Sequence, residues 1–514
     1  MKFKKIFSSS RSFTFELINK AIYYAPKQFD VLVNGVKTLI DVKTNVFSIY
    51  NLEPNTTYKV TVDSETHEFK TDQETASLNV RDFGATGDGK TDDTMAIQSA
   101  IYAAPKGSRV LIPAGTYWVR PLFLVSDITI ELVKEATLLG ETDRTKYPIL
   151  PAQILNNDEI VLELNTWEGV PEKGFASIIT GINVSNVKVI GEGVIDENSQ
   201  NSDWWVNHKE MRIAWRPKGV FLSNCEQIGF QGITVTNTPS WNLHPYFSNK
   251  IDFIDMKLIS PKDSPNTDGC NPESCDQVNV IGVNFSVGDD CIAIKSGKYE
   301  IGMKYRQPTS NMTIRNCMMA YGHGGVVLGS EMSGGIKNLT VTQCYFLKTD
   351  RGLRIKTRRG RGESAVLDGI TFENIYMKDV LIPLTGNMFY NRCDPDRLSE
   401  YVWSKEKLPI DEKTPYLGKF TFKDIVCEDA HAAGAYFYGL PEQPIKEINL
   451  ENVKISIAKE AQSFEPVMMC HLDKTIKLGL VFKNVETVNL KNVEITGYEG
   501  KAIDLENVKN FKQS

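Results

Sequence analysis

Four short segments carry side chains able to move protons or grip an anion: Asn266-Thr267-Asp268-Gly269, Gly288-Asp289-Asp290, Gly322-His323-Gly324 and Arg354-Ile355-Lys356. Carboxylates and an imidazole are the ordinary groups of general acid and base catalysis. Arg354 and Lys356 stand two apart, so on a strand both point the same way and make a cradle for a carboxylate. The steps from Asp268 to Asp289, Asp290 to His323 and His323 to Arg354 are 21, 33 and 31 residues. A fold whose coil takes about that many residues stacks all four segments on one stripe. Each segment has a glycine in it or nearby, Gly352 serving the last, which gives the backbone room to bend and a ligand room to approach.

The elements that must position these residues repeat along the chain. A polar Asn or Asp at a turn precedes an alternating apolar strand at Asn186-Val187-Lys188-Val189-Ile190, Asn249-Lys250-Ile251-Asp252-Phe253, Asp276-Gln277-Val278-Asn279-Val280, Asn311-Met312-Thr313-Ile314 and Asn338-Leu339-Thr340-Val341. From Asn249 onward the spacings are 27, 35 and 27 residues, and later copies begin near Ile445 and Val485. A period of this length means a solenoid or a propeller. No amphipathic helix separates the strands, which excludes helical repeats and βαβ units. The pattern predicts an all-β, right-handed parallel β-helix over residues 76–514, its coils stacked about 4.8 Å apart. A propeller is the alternative.

Before the coils, Phe13 to Phe69 reads as short alternating strands broken by turns, with Leu52-Glu53-Pro54-Asn55-Thr56-Thr57-Tyr58 spaced as a tyrosine corner. Residues 1–75 resemble a fibronectin type III β-sandwich, and polar Thr71 to Ser77 read as a linker. A strand, a glycine-rich turn (Gly84, Gly87, Gly89) and a helix carrying Met95, Ile97, Ala100 and Ile101, capped by Asp or Thr, then open the second unit. The turn lacks the spacing of a phosphate loop.

Composition narrows the function. The chain has 514 residues, 41% hydrophobic and 24% charged, which fits a soluble folded protein rather than a disordered or membrane one. A net charge of -6 argues against general nucleic-acid binding, so an anionic partner must be recognised locally. Arg351, Arg354, Lys356, Arg358, Arg359 and Arg361 form such a local basic run without an intervening acid. Nine cysteines (Cys225, Cys270, Cys275, Cys291, Cys317, Cys344, Cys393, Cys427, Cys470) are odd in number and sparse, and read as free thiols in a reducing compartment. Cys270 and Cys275 have no second pair at zinc spacing. Ser, Arg, Glu and Asn interrupt the N-terminal stretch where a signal peptide needs an apolar run, so a cytoplasmic location is expected.

Taken together, N-T-D, G-D-D, G-H-G and R-I-K in this order resemble the signature segments of the polygalacturonase family of glycoside hydrolases, over roughly residues 79 to 500. The resemblance implies a parallel β-helix that hydrolyses α-1,4 bonds between galacturonic acid units with inversion, needing no cofactor or metal. It implies Asp289 as general acid, Asp268 and Asp290 as the pair that holds and deprotonates water, and His323 as a group keeping the acid properly protonated. Crowding of the three carboxylates would raise the acid's pKa, and Gly288 would let the chain bend so that both Asp289 and Asp290 reach the cleft. Inversion calls for carboxyl groups roughly 6.5 to 9.5 Å apart, a gap that residues offset on adjacent coils can span. Arg354 and Lys356 would hold the substrate carboxylate, with Asn266 beside them. Tyr390, one coil after Lys356, sits where the family places a substrate-contacting tyrosine. Trp241 and His244, about one coil before Asp268, floor the site or pack in the core. Fungal members carry a disulfide bracketing the Asp pair and the histidine; here Met319 stands where a partner for Cys291 is expected, with Cys317 displaced by two.

Long irregular stretches at 141–175, 197–218, 298–308 and 386–417 interrupt the coils and could wall off one end of the groove. The expected function is therefore exo-polygalacturonase action on pectic polysaccharide or oligogalacturonides, releasing galacturonic acid from the non-reducing end, by a monomer with no nucleic-acid or membrane partner. The alternatives are an endo-polygalacturonase, a calcium-dependent pectate lyase, and a carbohydrate-binding β-helix resembling tailspikes or adhesins.

Overall fold

The computed structural model describes residues 1–157, 159–392 and 394–514. From Ser77 to Gln513 the chain winds as a right-handed parallel β-helix of three faces. Successive strands of the first face include Ile128–Leu132, Ser185–Gly191, Glu226–Gln231, Asn249–Ile254, Asp276–Ile281, Thr309–Arg315 and Ile336–Thr342, each pairing with the next. Inward positions stay in register from coil to coil. Ile130, Val189, Phe230, Phe253, Val280, Ile314, Val341, Phe372, Phe422, Leu450 and Leu490 form one buried column. Stacking identical faces buries apolar side chains that no single coil could cover.

The predicted turn residues have a conformational task. At the start of the first-face strands one residue per coil takes positive φ: Asn186 at 56°, Lys250 at 56°, Gln277 at 56°, Asn311 at 53° and Asn338 at 54°. Asn tolerates this conformation, and its amide ties each coil to the one before: Asn338 Nδ2 donates to Asn311 Oδ1 at 3.2 Å, and Asn311 Nδ2 to Asp276 Oδ1 at 2.7 Å. In the coils beginning at Asn249 and Asp276 the strained position is the following residue, one later than the sequence pattern places it.

Thr94–Ala103 closes the first end of the coil with Ile97, Ala100 and Ile101 buried, whereas Met95 points to solvent. Asp93, at the helix start, does not cap the helix; its carboxylate accepts from the Thr86 and Gly87 N–H groups of the glycine-rich turn.

The N-terminal unit is an antiparallel sandwich. Phe3–Ser8, Phe13–Leu17 and Val46–Ile49 form one sheet; Val36–Thr44, Tyr24–Val33, Thr57–Val62 and Glu65–Lys70 form the other. Tyr58 hydroxyl accepts the Glu53 N–H at 2.8 Å, closing the corner read from the sequence. The expected polar linker is fastened instead: Thr71 is buried, and Glu74 meets Arg11 at 2.7 Å and Arg109 at 3.6 Å. The sandwich docks along the corner that follows the first face. Phe7 and Val46 pack on Ile190, Ile254 and Ile281, and buried Glu16 accepts from Arg315 Nε at 2.5 Å and Asn316 Nδ2 at 2.7 Å. This docking leaves the third face clear.

Candidate active site

The third face runs through Leu243–Tyr246, the bridging residues Cys270 and Glu273, Ile292–Ile294, Val326–Leu328, Arg351–Lys356 and Ile382–Asn387. Asp268, Asp289, Asp290 and His323 all lie in the turns that enter this face, and Arg354 and Lys356 stand on it. Asp289 and Asp290 fall between strands Asn284–Ser286 and Ile292–Ile294, so strand alternation does not separate them. Gly288 works by space rather than by a bend: its φ is ordinary, and a Cβ there would meet Ser264 O at 2.4 Å and Pro261 O at 2.7 Å. At Gly324 a Cβ would come 3.0 Å from Asp290 Oδ1. Both glycines let neighbouring coils close on the acids.

One oxygen from each of Asp268, Asp289 and Asp290 lies within 4.8 Å of the others. Asp290 Oδ2 accepts from Lys356 Nζ at 2.7 Å, and its Oδ1 lies 3.4 Å from Arg354 Nη1. Burial opposes the charge of Asp290, yet the two cations outweigh it and pull its pKa down to about 2. Asp268 is pushed well above the carboxylate range, first by burial and then by the charges of Asp289 and Asp290; Asn271 Nδ2 donates to its Oδ2 at 2.8 Å. Crowding by like charges, which the resemblance implies for this trio, thus adds to burial at Asp268.

Asp289 Oδ1 accepts the Asp290 N–H at 2.9 Å and lies 3.3 Å from His323 Nδ1. The bond to Asp289 raises His323 to about 9 against burial, so the imidazole is charged at neutral pH. The nearest-oxygen gap, at most 4.8 Å, measures the carboxylates at their closest point. It suits one water held by two acids: a water about 2.8 Å from each of two oxygens spans roughly 4.6 Å between them. The same three oxygens form a set able to ligate a cation, but Asp290 already spends its charge on Lys356 and Arg354.

Tyr390 is buried beside Lys356, whose Nζ lies 5.8 Å from its ring centre. Asn266 takes φ 57° and its Oδ1 accepts from buried Arg216 Nη2 at 2.6 Å. Three expectations need correction. His244 is fully buried, its Nε2 3.1 Å from Glu273, and burial holds it neutral; Trp241 is 3% exposed and stacked on Trp167 at 5.8 Å. Neither can touch substrate, because the stretch around Trp167 roofs the third face at that coil. The basic run is mostly consumed as well. Arg358 and Arg361 pair with Asp394, Arg358 also with Asp396, Arg359 with Glu442, and Arg351 donates to the Glu465 carbonyl. Only Arg354 and Lys356 reach the acids. The described cysteines are free thiols, all but Cys470 buried; Cys393 lies outside the described residues.

A cavity of about 560 Å³ opens beside this cluster, lined by Trp167, Glu168, Val170, Glu172, His208, Lys209, Trp215, Asn266, Lys298, Arg392 and Arg397. Each of the four irregular stretches contributes to it. Trp167 and Trp215 stack at 4.6 Å, and Arg216 lies over Trp167 at 5.3 Å. Sequence reasoning named none of these cavity residues except Asn266. The legible signal was Thr166-Trp167-Glu168-Gly169-Val170-Pro171, an X-Gly pair between short strands that reads as a two-residue hairpin.

Residues 134–475 match the family model for glycosyl hydrolases family 28. The chain belongs to that family. A probable polygalacturonase from Vitis vinifera is 30% identical over 401 residues, 75% of each chain. An endo-polygalacturonase from Pectobacterium carotovorum is 25% identical over 378 residues, 71% of this chain and 84% of that one. A family 28 exopolygalacturonase from Yersinia enterocolitica shares the fold with a TM-score of 0.72 at 20% identity, over 99% of this chain and 98% of that one. The protein is a glycosidase of family 28 acting on polysaccharide, and the three converging carboxylates are its candidate machinery.

Proposed function

We propose that the protein is an exo-acting, inverting polygalacturonase that removes galacturonic acid from the non-reducing end of polygalacturonate or oligogalacturonides. The observation that carries the exo reading is the cavity itself. All four stretches that break the coil pattern line one pocket next to the acid cluster, as a wall around a chain end would require. Asp289 protonates the leaving oxygen through Oδ2, with His323 and the Asp290 N–H fixing Oδ1. Asp290 and Asp268 hold the water between them. Asp290, the ionised partner, takes the proton of the attacking water, and the coupled trio supplies the proton that Asp289 passes to the leaving oxygen.

Inversion is favoured over a covalent route because both Asp290 oxygens face cations, which suits a water-holding carboxylate better than a nucleophile. Arg354 and Lys356 have more donors than Asp290 uses, and offer the remainder to the substrate carboxylate beside Tyr390. Asn266 lines the same pocket. The two-sheet sandwich with its tyrosine corner supports a fibronectin type III-like brace along residues 1–75.

Product sizing over time on polygalacturonate tests this. Monomer as the sole early product is expected; mixed mid-length oligomers would mean endo action, and unsaturated products abolished by chelator would mean a lyase.

A further inference from the structure

The tip of the hairpin formed by Thr166–Trp167 and Val170–Pro171 is a two-residue loop, Glu168-Gly169, with both residues at positive φ, 46° and 75°. Such a loop favours Asn or Asp followed by Gly, and a glutamate there is strained. The tip is also immobilised. Gly169 O accepts the Lys298 N–H at 2.9 Å, and a Cβ on Gly169 would strike that nitrogen and Glu331 Cβ, both at 2.8 Å. A strained glutamate is therefore held at one fixed place on the cavity wall, half-buried, beside the stacked Trp167 and Trp215 and among Lys209, Lys298 and Arg392. Anion binding alone would not place a carboxylate in this wall. Burial first, and then repulsion from Glu331, raise the Glu168 pKa, so its charge is a cost that a bound donor would offset.

We propose that Glu168 is the specificity residue for the chain end: its carboxylate accepts a hydrogen bond from the 4-hydroxyl that only a non-reducing terminal galacturonate has free. The same carboxylate repels the next uronate of a longer chain, so one group rewards the terminus and rejects an internal position. This rests on the exo reading above. Trp167 and Trp215 give the terminal ring an aromatic wall, and the surrounding cations take its carboxylate.

The test compares trigalacturonate with the trimer whose terminal residue is 4,5-unsaturated and so lacks the 4-hydroxyl, using the full-length protein. Wild type should favour the saturated trimer in kcat/KM by about 10- to 100-fold, the cost of leaving a charged acceptor unpaired. Glu168→Ala should lower kcat/KM on the saturated trimer and raise it on the unsaturated trimer, collapsing the preference between them, with Glu168→Gln intermediate because it keeps a neutral acceptor. Equal losses on both trimers, or no change on either, in variants with wild-type thermal transitions would overturn the assignment. Early release of mid-length oligomers by wild type would instead sink the exo reading, so the two failures are distinguishable.

Discussion

The seam between the sandwich and the β-helix and the acid cluster on the third face are both built from buried carboxylates and cations, and they balance charge in opposite ways. At the seam the buried carboxylate of Glu16 is surrounded by donors from Arg315, Asn316 and Lys4. In the cleft three carboxylates converge: Arg354 and Lys356 reach Asp290, the His323 imidazolium lies beside Asp289, and Asp268 takes a neutral donor, Asn271. The seam spends its charges on holding two units together; the cleft keeps an imbalance that a folding protein has no reason to tolerate and a hydrolase does. The stretch from Arg351 to Arg361 repeats the contrast within eleven residues. Arg354 and Lys356 face the acids, whereas Arg358, Arg359 and Arg361 are locked to Asp394, Asp396 and Glu442.

If this contrast is right, substitutions in the two regions should separate activity from stability. The largest effect belongs to Asp289→Asn, which should cut kcat by about 10,000-fold, the upper end of what a general acid supplies, with the thermal transition close to wild type. Retained hydrolysis in that variant would remove the acid from Asp289. At the seam, Arg315→Met should cost about 3 kcal/mol by leaving Glu16 short of charge, read by denaturant unfolding, while kcat of the folded enzyme stays unchanged. A fall in kcat there would couple the sandwich to the chemistry and erase the division.

Lys356→Met should lower kcat/KM on oligogalacturonides by about 100-fold, by loosening Asp290 and losing a donor for the substrate carboxylate. The smallest effect concerns pH. Asp290 has its folded pKa lowered to about 2, so its contribution to stability is present above the unfolded value near 4 and is lost as pH falls through 2. That contribution is about 2 kcal/mol, and it should appear as a drop in thermal transition between pH 4 and pH 2 that is weaker in Asp290→Asn.

The coil architecture and the six clustered side chains were legible because repetition turns sequence spacing into spatial adjacency. Asp268, Asp289, Asp290, His323, Arg354 and Lys356 could be aligned by counting residues per coil. Counting fixes the coil but not the depth. Trp241 and His244 stand on the third face as counted, yet the hairpin containing Trp167 covers them, and nothing in their own segment announces that roof. Nor does a basic run reveal its partners: Asp394 and Glu442 pair with Arg361 and Arg359 from 33 and 83 residues away. Glu168 escaped notice for a related reason, since a carboxylate in a hairpin turn reads as solvated until four separate stretches close around it.

The central claim is that stacked coils assemble one trio of carboxylates into a water-activating, leaving-group-protonating site. Proton NMR of the first turnover of trigalacturonate reads it most directly. The account predicts galacturonic acid released as the β-anomer from the α-linked substrate, with a saturated dimer as the only other product. Release of the α-anomer, or appearance of a 4,5-double bond, would contradict it.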